Sequence, residues 1–108
     1  MSGSPAAPPT VPEVREALWN VQDPELAMSI LELGLIYDVE ISEAGEVAVT
    51  MTLTSPACPA GPIIEAQVRH ALGGMPGVEA VDVRIVWDPP WDPKTMASED
   101  VRLALGIW

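Results

Sequence analysis

An abrupt change of hydrophobic period in the middle of the chain constrains the fold more than any other feature. Residues 47–53 alternate apolar and polar side chains, a pattern that predicts a strand. Residues 63–72 repeat their apolar side chains at helical spacing, which predicts a helix. The intervening residues 54–62 contain three prolines, which interrupt both patterns. The chain must therefore turn from a strand into a helix within this stretch.

The only cysteine of the chain, Cys58, lies in that turn, directly before the predicted helix. The positive end of a helix dipole and the unpaired N–H groups there stabilise a thiolate. Because Pro59 and Pro62 have no N–H, the donors nearest the sulfur belong to Ala60 and Gly61. The sequence thus predicts a functional, partly exposed thiol. The alternative is a small buried hydrophobe in a turn.

Composition narrows the classes of protein and partner. A chain of 108 residues corresponds to one domain, here residues 11–108, preceded by a tail at 1–10 whose Ser, Gly, Pro and Ala predict disorder. The net charge of −11 repels nucleic acid and anionic membranes, and excludes both as main partners. One cysteine forms no internal disulfide, and the first ten residues lack the features of a signal peptide. We therefore expect a soluble cytoplasmic protein.

Periodicity, turn residues and caps predict the regular elements. In chain order these are a helix at 12–21, a turn at 25–28 capped by Asp23, a strand at 36–41, a hairpin turn at 42–45, a strand at 46–53, a helix at 60–72, a strand at 78–87, an extended tail at 88–93, and a helix at 99–105 capped by Ser98 and closed by Gly106. The order α-β-β-α-β plus a short C-terminal helix predicts an α+β fold with a three-stranded mixed sheet and helices on one face. The third strand is expected to pair beside the first.

Four motifs occur in a fixed order along the chain. They are Asp23-Pro24-Glu25, the run from Ile30 to Ile36, the run from Thr52 to Pro59, and the run from Trp87 to Met96 followed by Ser98, Glu99 and Leu105-Gly106. Taken together, over about residues 12–108, they resemble the SufT-like and PaaD-like family of iron–sulfur cluster assembly domains. PaaD-like members carry an additional cysteine-rich C-terminal segment that this sequence does not show, so the resemblance favours the SufT-like role.

The resemblance implies the family's α+β fold and a role as an adaptor or carrier that helps deliver clusters to apo-proteins. It also implies that the family's acidic residue falls on Asp23, its threonine on Thr54 and its thiol on Cys58. Partners would be iron–sulfur assembly proteins or apo-protein clients. No cofactor is expected to be bound permanently, and a transient iron–sulfur cluster would be held through Cys58.

One cysteine per chain does not complete a cluster site, because clusters are typically held by about four thiolates. Two chains would present Cys58 across a two-fold axis as a homodimer, with Asp23 or small thiols in the remaining positions. Alternatively, Cys58 would share a cluster with a partner's thiolates, or would bind no metal in a protein that acts as an adaptor. The residues expected to support the site are Glu25, Ser55, Ala60 and Gly61.

Asp23 and Glu25 have two interpretations. In the first, they cap the turn after the first helix and place negative charge there. In the second, they supply an oxygen ligand or an acid–base group near the thiol. Thr54 would then hydrogen-bond the thiolate, or merely close the end of a strand. The functional interpretation requires Asp23, Thr54 and Cys58 to lie within about 8 Å of one another, given the length of hydrogen bonds and metal–ligand bonds.

A hydrolytic or transferase site is not expected, because a nucleophilic thiol usually needs a histidine partner. The only histidine, His70, lies near the other end of the predicted helix, roughly 15 Å from Cys58 at the helical rise. The sequence therefore indicates a protein that is not an enzyme.

A binding module is the alternative class. Trp87, Trp91 and Trp108 would form an aromatic surface with an acidic rim, suited to a basic partner. The competing interpretation is that Trp87 and Trp91 cover the sheet, because a core without phenylalanine needs other large side chains.

Overall fold

The computed structural model describes residues 7–54 and 59–107, and all structural statements refer to these. The elements in chain order are α1 (Val11–Trp19), β1 (Gln22–Asp23), β2 (Met28–Ser29), α2 (Ile30–Leu33), β3 (Ile36–Ile41), β4 (Glu46–Met51), α3 (Gly61–Gly73), β5 (Ala80–Ile85), α4 (Pro93–Met96) and α5 (Glu99–Leu105). No helix in the described ranges is both long and apolar enough to cross a membrane.

Helix α1 begins with a capping box. The backbone N–H of Glu13 donates to Thr10 Oγ1 at 3.3 Å, and the Glu13 carboxylate accepts from the Thr10 N–H at 3.0 Å. The helix ends at Trp19, two residues before the predicted end. Val21 lies beyond the helix yet is buried, so the apolar stripe predicted from Val14, Leu18 and Val21 does face the core.

Strands β3 and β4 form the antiparallel hairpin that the sequence predicts. Val39 pairs with Val49, and Ile41 pairs with Val47 next to the turn. Gly45 closes the turn with φ of 88°, a conformation that favours glycine. Strand β4 is shorter than predicted, since it ends at Met51 rather than Leu53.

Strand β5 pairs with β4 and not with β3, so the predicted position of the third strand is wrong. The sheet order is β3-β4-β5, with β4 and β5 parallel and Val49 paired with Val83. The physical reason is the helical crossover: α3 packs on β5 as it returns the chain, and such β-α-β units place the second strand parallel to the first. The hairpin already occupies the other edge of β4, so β4 becomes the central strand.

The core lies between this sheet and the helices. Val39, Val49 and Val83 form a buried rung across the three strands, and α3 contributes Ile64 and Val68. The predicted α+β fold, with a three-stranded mixed sheet and helices packed on it, is confirmed.

The C-terminal part crosses α2 and β3 and is tied there by side chains. Trp91 donates its indole N–H to the carbonyl oxygen of Leu33 at 2.6 Å, and the Tyr37 hydroxyl donates to the carbonyl of Pro89 at 2.8 Å. Strand β5 ends at Ile85, earlier than predicted, and the short helix α4 follows the predicted tail. The predicted cap of Ser98 on α5 is confirmed.

The first described residues lie against the turn that precedes β5. Pro9 is buried, and the carbonyl of Ala7 lies against Gly77, which has φ of 85°. Residues 1–6, the greater part of the predicted disordered tail, lie outside the described residues.

Candidate functional site

The candidate site is the connection between β4 and α3, which contains Cys58. Cys58 and Ser55 both lie outside the described residues, so their predicted roles and the predicted exposure of the thiol stay predictions. The flanks are described: Thr54 is half-buried on one side, Pro59 is exposed and Ala60 is buried on the other. The two described ends of the connection therefore define where the candidate site lies in the fold.

The two ends of this connection touch each other. A Cβ on Gly61 would stand 2.8 Å from Leu53 Cδ1, closer than side chains normally approach. Glycine at the first position of α3 thus lets the helix begin directly against the end of the β4 extension. The Thr52 N–H donates to the carbonyl of Leu35, the residue before β3, at 2.9 Å. This hydrogen bond holds the extension of β4 beside β3. The two described ends of the connection therefore lie side by side.

The first turn of α3 provides backbone donors close to the position after Cys58. The first i-to-i−4 bond runs from the Ile64 N–H to the Ala60 carbonyl at 2.9 Å. Groups before Ile64 have no carbonyl partner within the helix, and Ala60 carries no side-chain acceptor that could cap them. Since Pro62 has no N–H, the first turn presents the N–H groups of Gly61 and Ile63 at the positive helix end. This geometry favours a bound anion or a thiolate.

Asp23 is a buried residue at the start of an exposed turn before α2. Its Oδ1 accepts from the Glu25 N–H at 2.8 Å and from the Leu26 N–H at 3.3 Å, and its side chain is 1% exposed. The predicted capping role of Asp23 is therefore confirmed. Glu25 lies in the same turn and is exposed. Whether either carboxylate also serves the thiol stays a prediction.

The turn that holds Asp23 closes a hairpin that the sequence did not indicate. β1 and β2 pair antiparallel, with Asp23 opposite Met28, and Ala27 has φ of 54° between them. Two-residue strands carry no alternation signal, and the positive φ falls on an alanine rather than a glycine. The Asx-type signal of Asp23 followed by proline was the only local indication of a turn.

Thr52 is a polar residue of this region that the sequence analysis missed. It is 0% exposed, and its Oγ1 has no hydrogen-bond partner within residues 7–54 and 59–107. Burying a hydroxyl without a hydrogen-bond partner costs free energy of folding, so its presence beside the connection that contains Cys58 needs a structural or functional reason. Within the same ranges, no three His, Asp or Glu side chains gather closely enough to hold a metal ion.

The tryptophans differ in how far their side chains are buried. Trp91 packs against the core, which confirms the covering role that the sequence suggested for it. Trp87 is 44% exposed, and Trp19, which the analysis had not included, is 51% exposed. Trp108 lies outside the described residues. His70 lies in the last turn of α3, as predicted.

Fold and sequence together define a class: a small α+β domain whose sheet-to-helix connection contains the one cysteine of the chain, three residues before the helix. A protein family described as iron–sulfur cluster assembly protein matches residues 12–83, and the chain belongs to this family. The predicted resemblance is thereby confirmed.

Characterised relatives are similar over most of their length. The Fe-S protein maturation auxiliary factor YitW of Bacillus subtilis is 50% identical over 91 residues, which cover 84% of this chain and 88% of that protein. The Fe-S protein maturation auxiliary factor SufT of Staphylococcus aureus is 46% identical over 87 residues, covering 81% and 98%. Among solved structures, a conserved hypothetical protein of Thermotoga maritima has a TM-score of 0.85 at 36% identity, covering 99% of this chain and 100% of that chain.

Proposed function

We propose that this chain is an auxiliary factor in iron–sulfur protein maturation that takes up a cluster through Cys58 and passes it to an apo-protein. Family membership supports the process, and similarity to two maturation auxiliary factors supports the auxiliary role. The observation that carries the chemistry is the contact of Leu53 with Gly61, which sets the thiol-bearing connection directly at the start of α3.

The cluster is cargo in this scheme. Clusters are typically held by about four thiolates, so a single Cys58 leaves coordination positions for other ligands. A second chain of a homodimer, or the thiolates of a partner, would fill them. A partner that contributes its own thiolates can then withdraw the cluster by ligand exchange, which suits delivery rather than storage.

The supporting residues have distinct parts in the proposal. Ala60 sets the helix start, and Gly61 provides an N–H group that stabilises the Cys58 thiolate. Thr54 and Ser55 would donate hydroxyl hydrogen bonds to the bound sulfur. Asp23, with Glu25 nearby in the same turn, would offer a hard oxygen ligand.

Partners in this scheme are the iron–sulfur assembly machinery and apo-protein clients, and the protein works in the cytoplasm. Catalysis of its own is not part of the proposal, because the role requires ligand exchange only. A second candidate function is a metal-free adaptor, for which the exposed side chains of Trp87 and Trp19 on an acidic protein are the supporting observation.

The test is anaerobic reconstitution with iron and sulfide of the unaltered chain, Cys58→Ala and Cys58→Ser. We expect a visible chromophore that the alanine variant lacks, with about half a cluster per chain if two chains share it. A second step mixes the loaded protein with apo-ferredoxin and follows transfer. A chromophore retained in Cys58→Ala would contradict the thiol assignment. If the unaltered chain takes up no iron, the adaptor function stands instead.

A further inference from the structure

A groove of about 580 Å³ runs between the end of α1 and the outer side of α3. Six of its lining residues matter for the argument: Asn20, Val21, Pro62, Ile63, Gln67 and His70. Pro62 and Ile63 belong to the first turn of α3, so one end of the groove lies at the helix start that follows Cys58. The other end lies at the C-terminal end of the same helix.

The groove is apolar in a strongly acidic chain. None of its lining residues is Asp, Glu, Lys or Arg, although the chain carries 16 acidic residues and a net charge of −11. Val21 forms a buried part of the lining, while Ile63 is 52% exposed. Water in such a groove is released at low cost when an apolar side chain enters, because few polar groups there must be desolvated.

Glu13 lies on the α1 side of the groove. It comes seven residues before Asn20, so both residues share that side of the helix. Glu13 is exposed, and its carboxylate accepts hydrogen bonds from the backbone and the hydroxyl of Thr10, which lower its pKa. Arg15 and Glu16 line a separate pocket. This flank of the groove therefore carries a carboxylate.

The basic residue on the other flank is already engaged. Arg69 forms an ion pair with Glu65 at 3.1 Å and donates to the Val81 carbonyl at 3.0 Å. The electrostatic complement of this groove is consequently a positively charged segment with an apolar edge.

We propose that this groove docks a short amphipathic helix of the protein that supplies or receives the cluster, with aliphatic side chains on one face and Lys or Arg beside them. The proposal rests on the proposed function, because it assigns the partner a position next to the cluster ligand. Apolar grooves commonly accept an amphipathic helix in this way, through residues spaced three and four apart.

The dimensions suit such an occupant. From Pro62 to Ala71 the groove follows α3 for nine residue steps, roughly 14 Å at the helical rise. A partner helix of about ten residues spans that length and presents three apolar side chains to it. One end of such a helix would lie at the first turn of α3, which follows Cys58 in the sequence by three residues.

The probe is a synthetic peptide of about 14 residues with leucines at helical spacing and lysines beside them. Two peptides serve as controls: one with glutamate in place of each lysine, and one with the same composition in scrambled order. Binding is measured by fluorescence anisotropy at physiological salt, and the contact surface is mapped by amide chemical shifts in nuclear magnetic resonance.

The variant Ile63→Glu places a charge in the groove, and Leu103→Glu is its matched control, because Leu103 is 56% exposed on α5. We expect Ile63→Glu to weaken peptide binding at least about tenfold and Leu103→Glu to change it less than about twofold. The glutamate and scrambled peptides should bind at least about tenfold more weakly than the lysine peptide.

The proposal is overturned if the peptide does not bind, if both variants bind it equally, or if the scrambled peptide binds as well. It is also overturned if the unaltered chain is dimeric in solution and Ile63→Glu makes it monomeric, since a second copy then occupies the groove. Cys58→Ala should bind the peptide as the unaltered chain does. If the unaltered chain takes up no cluster but still binds the peptide, the proposed function fails while the groove still docks a helix. If the unaltered chain takes up a cluster but does not bind the peptide, this inference fails while the proposed function stands.

Discussion

The side chain of Leu53 and the backbone of Gly61 lie in contact, so that the segment following β4 meets the start of α3. A Cβ on Gly61 would stand 2.8 Å from Leu53 Cδ1. This contact closes the connection that carries Cys58. The effect of this contact on stability can be separated from helix propensity, because the same helix ends with a second glycine, Gly73. A Cβ added at Gly73 would meet no atom within 4 Å.

We predict that Gly61→Ala and Gly73→Ala shift stability in different directions. Alanine at Gly73 should raise the free energy of unfolding by up to about 1 kcal/mol, because alanine is the better helix former. Alanine at Gly61 should lower it by about 1 kcal/mol, because Leu53 must move. Urea denaturation measures both. Equal stabilisation by the two substitutions would show that the contact with Leu53 is not tight.

Asp23 offers a test that separates its structural role from its proposed ligand role. Asp23→Ala removes the acceptor for the Glu25 and Leu26 N–H groups and should cost about 1 to 2 kcal/mol of unfolding free energy. Asp23→Asn keeps an oxygen acceptor and should cost much less.

The amide variant is the informative one for cargo binding. We expect Asp23→Asn to remain folded and to retain less iron than the unaltered chain after reconstitution, because a neutral amide is a weaker ligand than a carboxylate. Iron is counted per chain after gel filtration. Unchanged iron content in a folded Asp23→Asn would restrict Asp23 to capping.

The unpaired hydroxyl of Thr52 predicts a stabilising substitution. Thr52→Val removes a buried hydroxyl that has no partner in the described part of the chain, and should raise the free energy of unfolding by about 1 kcal/mol. The control is Thr50→Val, which makes the same change in β4 at a residue that is only half-buried. Thermal unfolding of both variants checks this, and a destabilised Thr52→Val would mean that the hydroxyl has a partner in solution.

The capping box at Thr10 predicts a pH dependence of stability. Hydrogen bonds from the Thr10 backbone and hydroxyl hold the pKa of Glu13 below its ordinary value of 4.5. The unfolded chain therefore binds a proton at a higher pH than the folded chain does. The stabilisation from Glu13 is complete above about pH 4.5 and is lost as the pH falls through its lower folded-state pKa.

The variant Glu13→Gln measures this contribution, because glutamine keeps the acceptor oxygen but does not ionise. Its free energy of unfolding should approach that of the unaltered chain as the pH falls below about 4.5. Glu43→Gln, in the hairpin turn, is the control. A difference between Glu13→Gln and the unaltered chain that stays constant with pH would contradict the assignment.

Several elements were predictable because their signals are local. The hairpin from Ile36 to Met51 follows from alternation and from Gly45 at the turn, and the predicted caps at Asp23 and Ser98 involve residues at most three positions away. The motifs also identified the family. These features depend on neighbours along the chain, which the sequence displays directly.

Other features depend on residues far apart in the chain. The position of β5 beside β4 is decided by where α3 packs, and the contact of Trp91 with Leu33 is decided by the path of the C-terminal part. The β1–β2 hairpin is too short to leave a pattern. None of these has a periodic or local signature.

The sequence by itself determined the class of fold, the family, the turn from strand to helix that contains the one cysteine, and the caps at Asp23 and Ser98. Only the tertiary structure decided the strand order, the contact between Leu53 and Gly61, the burial of Thr52, and the groove between α1 and α3. The physical reason is that periodicity and capping act within a few residues, whereas sheet pairing and grooves arise when distant segments compete to bury the same apolar surface.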